Sequence, residues 1–168
     1  MKAVLISIQP KWVAKIANGK KTIEVRKTVP QCDVPFKCYI YCTKDKYEWL
    51  YRVDNNGYGN PQSWHGKVIG EFVCDNAEWM SMRDCDKACM TLKEAVDYGK
   101  GKKLYSWHIS DLKIYDKPKE LSEFFKPCPT KEKGDCLNCD CLADNDYGGI
   151  CTNNLTRPPQ SWQYVEEI

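Results

Sequence analysis

Residues 18–26 read Asn-Gly-Lys-Lys-Thr-Ile-Glu-Val-Arg, and the rest of the chain can be organised around them. The Asn-Gly pair predicts the end of a helix, because glycine readily adopts the positive φ that closes a last helical turn. A short strand is predicted to follow, in which apolar and polar residues alternate, so that one face of the strand is apolar. The other face presents Thr22, Glu24 and Arg26. This polar face is either a solvated edge strand or a polar site held on a rigid strand.

The composition describes a globular chain. With 168 residues, of which 42% are hydrophobic and 29% charged, we expect one domain spanning residues 1–168. The net charge is only +2, so any contact with nucleic acid must come from a local basic patch. No apolar stretch has the length of a transmembrane helix, and no secretory signal is recognisable, so we expect no membrane association and a cytoplasmic location.

Strand and helix signals alternate along the chain. Strands are predicted at 3–8, 36–43, 67–74, 104–108, 112–115 and 161–165. A helix begins at Pro10, a second runs over 90–98 with Thr91 and Glu94 as a capping box, and a short third runs over 117–125. We therefore predict an α+β fold, a small mixed β-barrel with a few short helices, with an excursion at 44–65 and a cysteine-rich loop at 127–154.

The cysteine-rich loop predicts a metal site. It contains little apolar material, and a chain without a secretory signal is expected to keep its eleven cysteines reduced. Four thiolates around a structural zinc ion would order such a loop. The predicted ligands are Cys128, Cys136, Cys139 and Cys151, with Cys141 as a possible replacement for one of them. Free thiols and an iron–sulfur cluster are the alternatives.

Several segments resemble the ASCH family, a branch of the PUA-like β-barrels. The matching segments are the opening strand through Lys11, the Gly-Lys-Lys-Thr-Ile-Glu-Val-Arg run at 19–26, and residues 66–72. Residues 105–112 and 158–162 resemble a subgroup of small bacterial and phage-type members. The resemblance covers most of the chain except the excursion and the cysteine-rich loop.

The resemblance implies a cleft that meets RNA or a nucleotide-like ligand. It also implies a relation to members that are amidohydrolases, which deacylate a modified cytidine with a lysine, a threonine and a carboxylate. Lys21 stands at the lysine position, but Glu24 stands at the threonine position. Because a carboxylate does not replace the hydroxyl as a nucleophile in amide hydrolysis, the deacylase role is not carried over to this chain.

A second wall of the cleft is predicted from aromatic and amide side chains near the carboxyl terminus. Stacked aromatic rings with polar groups nearby hold the bases of single-stranded RNA in many proteins. Alternatively, the two tryptophans belong to the barrel core and the histidine is structural. The residues of this wall are Tyr105, Trp107, His108, Gln160, Ser161 and Trp162.

Three functional hypotheses follow. The first is a binding domain that recognises RNA or a nucleobase-containing ligand through Lys21, Thr22, Glu24 and Arg26, with the second wall in support. The second is a small amidohydrolase acting on an acylated nucleoside, with Lys21 and Glu24 as acid and base. The third is an accessory protein that meets a protein partner through the cysteine-rich loop.

Overall fold

The structure, a computed structural model, describes residues 2–44, 51–52, 62–128, 142–143 and 150–168. Its helices are α1 (Pro10–Ala17), α2 (Asp84–Lys87) and α3 (Leu92–Gly99), with a 3-10 turn at Leu121–Glu123. Its strands are β1 (Lys2–Ile8), β2 (Ile23–Arg26), β3 (Phe36–Cys42), β4 (Tyr51–Arg52), β5 (Gln62–Ser63), β6 (Val68–Cys74), β7 (Ala77–Trp79), β8 (Tyr105–His108), β9 (Ser110–Lys119), β10 (Leu142–Ala143), β11 (Ile150–Cys151) and β12 (Trp162–Glu166).

The strands are divided between sheets. A five-stranded sheet has the order β12-β1-β3-β6-β9, in which β1 and β3 are parallel and the other neighbours antiparallel. An antiparallel three-stranded sheet has the order β2-β8-β7, and β4-β5 and β10-β11 are separate pairs. The predicted mixed α+β class is confirmed. The predicted closed barrel is wrong, because the described strands form separate open sheets.

The main core lies on one face of the five-stranded sheet and extends to helix α1 and strand β8. Val13 and Ile16 pack on this face from the helix, and Trp107 packs on it from β8. Cys38 and Cys42 are fully buried, as expected for small residues on one face of a strand. Helix α1 is thereby fixed against the sheet, and the turn that follows it delivers β2 to a defined place.

The local signals around β2 and α3 are confirmed. Helix α1 starts at Pro10 and its carboxyl-terminal cap is Asn18, after which Gly19 adopts a φ of +75°. Helix α3 begins after Thr91, whose hydroxyl accepts from the Glu94 amide, while the Glu94 carboxylate accepts from the Thr91 amide. This capping box satisfies amide groups that the first helical turn leaves without intrahelical partners.

The short helix predicted over residues 117–125 is wrong. Strand β9 continues through Pro118 to Lys119, and only the turn at Leu121–Glu123 is helical. Proline is tolerated here because β9 is an edge strand of the five-stranded sheet, where one side of the backbone has no strand to bond.

Candidate functional site

Three charged side chains in β2 and just before it are buried together. The exposed fractions are 3% for Lys21, 5% for Glu24 and 6% for Arg26. The Glu24 carboxylate lies between the two cations: its Oε1 is 3.0 Å from Arg26 Nη2, and its Oε2 is 3.3 Å from Lys21 Nζ. Charges removed from water in this way are tolerated only when they are paired and hydrogen-bonded.

Backbone carbonyls from three other segments fix the two cations. Lys21 Nζ donates to the Ala88 carbonyl at 2.9 Å, and Arg26 Nη2 donates to the Ser7 carbonyl at 2.6 Å. Arg26 Nη1 reaches the hydroxyl and carbonyl of Ser161 at 3.3 and 3.4 Å. The guanidinium therefore ties β2 to β1 and to the segment before β12, which makes this cluster rigid.

The cluster also contains unsatisfied polar atoms. Among the described residues, Glu24 Oε2 accepts no hydrogen bond, although Lys21 lies close to it, and Arg26 Nε donates none. Buried polar atoms in folded proteins almost always have a partner. Glu24 Oε2 therefore has only its ion pair with Lys21, and Arg26 Nε has no acceptor in the described part of the chain.

The cluster forms the floor of a cleft of about 490 Å³. Helix α1 and the residues before it supply one wall, including Gln9, Lys11 and Trp12, and helix α3 supplies the opposite wall. Ligand pockets for small molecules commonly range from about 300 to 1,000 Å³. The α3 wall consists of Glu94, Asp97 and Tyr98.

The Tyr98 hydroxyl belongs to the electrostatic environment of the floor. Burial raises the pKa of Tyr98 above its usual value, while the nearby Arg26 guanidinium acts in the opposite sense and Glu24 in the same sense. The hydroxyl therefore stays protonated at neutral pH and can donate or accept a hydrogen bond.

Solved structures with a similar fold were found by comparison. No protein-family model matches this sequence, and no curated protein is similar to it in sequence. The ASCH protein of Zymomonas mobilis superposes with a TM-score of 0.58 at 19% identity, over 98% of this chain and 88% of that chain. The fold is that of the ASCH domains. A Tyr-to-Phe variant of the Zymomonas protein gives 0.58 at 18% identity, over 99% and 92% of the two chains.

A Ser-to-Ala variant of that protein gives a TM-score of 0.59 at 16% identity, over 98% of this chain and 89% of that chain. The ASCH resemblance found in the sequence is thus confirmed in the fold. At these identities the comparison establishes the fold and leaves ligand and activity to be derived from the residues of the cleft.

The ASCH fold brings together some of the predicted site residues. Lys21, Glu24, Arg26 and Gln160 line the cleft. Thr22 is exposed and is not among the lining residues, although it shares the alternation of Glu24 and Arg26. The strand extends only over Ile23–Arg26, so Thr22 belongs to the turn before it.

The predicted second wall is placed largely elsewhere in the ASCH fold. Trp107 is fully buried in the main core, where its ring meets Phe36 edge-on at a centroid distance of 5.5 Å. Trp162 packs against Trp107 and donates its indole N–H to the Thr28 hydroxyl at 3.0 Å. Tyr105 packs against Trp79 instead.

Two further polar members of that wall, His108 and Ser161, lie outside the cleft lining. His108 Nδ1 lies 3.9 Å from Asp75 Oδ1, away from the lining residues of the cleft. Ser161 is not a lining residue either, but it contacts the site indirectly because it holds the Arg26 guanidinium. It is therefore a positioning residue for the floor.

Sequence reasoning missed Lys11, Trp12 and the α3 wall. A four-residue spacing of lysines such as that of Lys11 and Lys15 is equally typical of a solvated helix face, and nothing in the pattern of 90–98 distinguishes a cleft wall from a solvated face. Only the structure brings the Lys11 and Lys15 ammonium groups to the Trp12 ring.

The zinc site remains a prediction. Cys136, Cys139 and Cys141 lie outside the described residues, as does the side chain of Cys151. Cys128 is buried, and its amide donates to Glu166 Oε1 at 2.8 Å. In the described part of the chain, no helix is long and apolar enough to cross a membrane.

Proposed function

We propose that this chain is an ASCH-family binding domain whose cleft holds a nucleobase-containing ligand, either a nucleotide or a base of single-stranded RNA. The observation that carries the proposal is the buried Glu24 carboxylate on the cleft floor, which has an oxygen without a hydrogen-bond donor. A carboxylate is the usual acceptor for the exocyclic amine of a base. Arg26 beside it supplies a donor for a ring nitrogen or a carbonyl oxygen of the same base.

The walls of the cleft suit a planar ring. Trp12 and Tyr98 lie on opposite sides of the floor, and every base has a π-face that stacks on such rings. Lysine ammonium groups lie over both rings, Lys11 at 4.5 Å from the Trp12 centroid and Lys27 at 4.7 Å from that of Tyr98, so a stacked base displaces them. A cleft of about 490 Å³ accommodates a base with its ribose but not a folded RNA element. We therefore propose recognition of one splayed-out base at a time.

Matched pairs of nucleosides test the role of Glu24. Cytidine and uridine differ chiefly in an amine against a carbonyl, and so do adenosine and inosine. We expect the amine-bearing member of each pair to bind about tenfold more tightly or better, since one base contact discriminates by about 1–3 kcal/mol. Isothermal titration calorimetry measures the four affinities.

Variants test whether Glu24 is the residue that discriminates between the bases. In Glu24→Gln the preference should disappear or reverse, because an amide presents a donor as well as an acceptor. In the control variant Glu78→Gln, which changes an exposed carboxylate on β7, the preference should persist. Filter binding of oligo(C) and oligo(U) with Arg26→Ala extends the test to RNA. Equal affinity within both pairs, or unchanged RNA binding by Arg26→Ala, would disprove the proposed site.

A small amidohydrolase is the second candidate, favoured by the Lys21–Glu24 pair that lies inside the cleft 3.3 Å apart. In that case Glu24 would orient a water molecule against an acyl group on the base, and Lys21 would donate a proton. Incubation with N-acylated cytidine, followed by detection of the released acid, separates this candidate from simple binding. Turnover that survives Lys21→Ala would exclude the assigned role.

A further inference from the structure

Three lysine ammonium groups converge on one indole ring at the side of the cleft. The Nζ atoms of Lys11, Lys15 and Lys21 lie 4.5, 4.8 and 5.1 Å from the centroid of Trp12. Lys11 and Lys15 are four residues apart on α1, so their side chains leave the same face of the helix. Lys21 arrives from the turn before β2.

Backbone carbonyls hold two of these ammonium groups side by side. Lys21 Nζ donates to the Ala88 carbonyl at 2.9 Å, and Lys15 Nζ donates to the carbonyl of the next residue, Cys89, at 3.4 Å. Two like charges on successive carbonyls repel each other. Their proximity is therefore set by the fold and not by mutual attraction.

The negative charge nearby balances this cluster only in part. Lys21 shares Glu24 with Arg26, whereas Lys11 and Lys15 form no ion pair with any carboxylate in the described part of the chain. Like charges at this helical spacing destabilise a helix slightly, and the indole ring compensates only in part. An anion placed between the ammonium groups would relieve the repulsion.

The cluster borders the cleft: Lys11, Trp12 and Lys21 are lining residues, whereas Lys15 is not. We propose that this cluster, which we call the lysine subsite, binds the 5′-phosphate of a nucleotide whose base lies on the Glu24 floor. The proposal rests on the proposed function and adds the substrate form: a phosphorylated nucleotide is preferred over its nucleoside. A phosphate that enters the lysine subsite draws Lys11 and Lys15 from the indole ring onto its oxygens.

The opposite wall limits where the phosphate lies. Glu94 and Asp97 project into the same cleft from α3. Hydrogen bonds from Thr91 hold the pKa of Glu94 below its usual range, and the charges of Lys11 and Lys15 lower it further, so Glu94 is ionised and close to the lysines. The phosphate must therefore lie on the α1 side, and removal of the Glu94 charge should strengthen its binding.

The test compares cytidine with cytidine 5′-phosphate by calorimetry, with tryptophan fluorescence as a second readout. For the unmodified protein we expect the phosphate to improve affinity about tenfold or more. In Lys11→Ala/Lys15→Ala the improvement, taken as the ratio of the two affinities measured in that same variant, should fall to about twofold or less. In Lys113→Ala/Lys117→Ala, which removes the same charge from exposed positions on β9, the full improvement should remain.

Glu94→Gln supplies a change in the opposite direction, since glutamine preserves the capping box while it removes the charge. The improvement due to phosphate should increase in this variant. An unaltered improvement in Lys11→Ala/Lys15→Ala, or no improvement in the unmodified protein, overturns the lysine subsite even when cytidine binds. If inorganic phosphate binds through Lys11 and Lys15 but cytidine does not bind, the lysine subsite stands and the nucleobase proposal fails.

Discussion

Helix α3 separates two hollows that differ in almost every chemical respect. One side of the helix contributes Glu94, Asp97 and Tyr98 to the cleft, whose floor is the buried charged cluster. The other side lines a groove of about 350 Å³. That groove is lined chiefly by apolar side chains and glycines: Met80, Met82, Leu92, Ala95, Val96, Gly99, Gly101 and Leu104.

The difference indicates which hollow is the better candidate for a ligand site. The groove leaves large apolar side chains in water, with 75% of Met82 and 64% of Val96 exposed, but it requires no buried charge. The cleft has the opposite property, because Lys21, Glu24 and Arg26 are nearly inaccessible and must be desolvated on folding. A fold that needed only a stable hollow would not require this cluster.

The largest effect is expected from Glu24→Leu. Removal of the carboxylate leaves two buried cations without a counter-charge, which typically costs about 3–5 kcal/mol. We expect a loss of that size in the free energy of unfolding, measured by urea denaturation. On the groove side, the matched truncation Met82→Ala should change the stability by no more than about 0.5 kcal/mol, because that side chain is mostly in water.

A triple variant separates stability from function at the same positions. Lys21→Met/Glu24→Leu/Arg26→Met should recover most of the stability lost in Glu24→Leu, since well-packed apolar residues commonly replace buried ion pairs without loss. The same variant should bind no nucleoside. If it remains as unstable as Glu24→Leu, the cluster is a structural element, and the contrast between the two hollows no longer indicates a ligand site.

The sequence predicted the floor of the cleft but not its depth. Alternation along β2 correctly separated Ile23 and Val25, which pack against Ala88, from the polar residues. It did not predict that Glu24 and Arg26 are buried as well. That burial results from Ser7 and Ser161, which approach the Arg26 guanidinium from distant parts of the chain and which no local pattern connects to β2.

Loss of the cap of α3 should have an intermediate effect on stability, and it concerns both hollows because α3 lines both. In Thr91→Ala the hydroxyl that accepts from the Glu94 amide at 3.1 Å is lost, which we expect to lower the stability by about 1 kcal/mol. Thr91→Ser keeps the hydroxyl and should remain close to the unmodified protein. In Thr91→Ala, hydrogen exchange should become faster at the α3 amides than at the other amides of the chain. An equal increase at all amides would show that the cap does not control this helix.

The cap was predictable from sequence because all its partners lie within four residues. Strand β9 was not, since the tolerance of Pro118 depends on which strand ends the sheet. Trp107 is a second case in which the local sequence was not enough. Its aromatic ring suited a stacking surface, but the pairing of β8 with β2 and β7 directs it into the core. Local chemistry predicted elements, whereas the order of the strands decided which residues reach the cleft.

The smallest effect concerns Asp84, at the start of α2 on the groove side. Burial alone would raise the pKa of Asp84, but hydrogen bonds from the Ser81 amide at 2.8 Å and the Ser106 hydroxyl at 2.9 Å outweigh it and hold the pKa below its usual value. Because the folded pKa is lowered, the ionised carboxylate stabilises the protein above the unfolded pKa of about 3.9, and this contribution is lost as the pH falls through the folded value. The stability difference between the unmodified protein and Asp84→Asn should therefore be constant above about pH 5 and shrink below about pH 4.

Urea denaturation across this range measures the difference, with Asp86→Asn as the control on the same helix. If this stability difference instead grew as the pH fell, the folded pKa of Asp84 would be raised and its protonated form would be the stabilising one. The groove side would then also contain a carboxyl group that is costly to ionise.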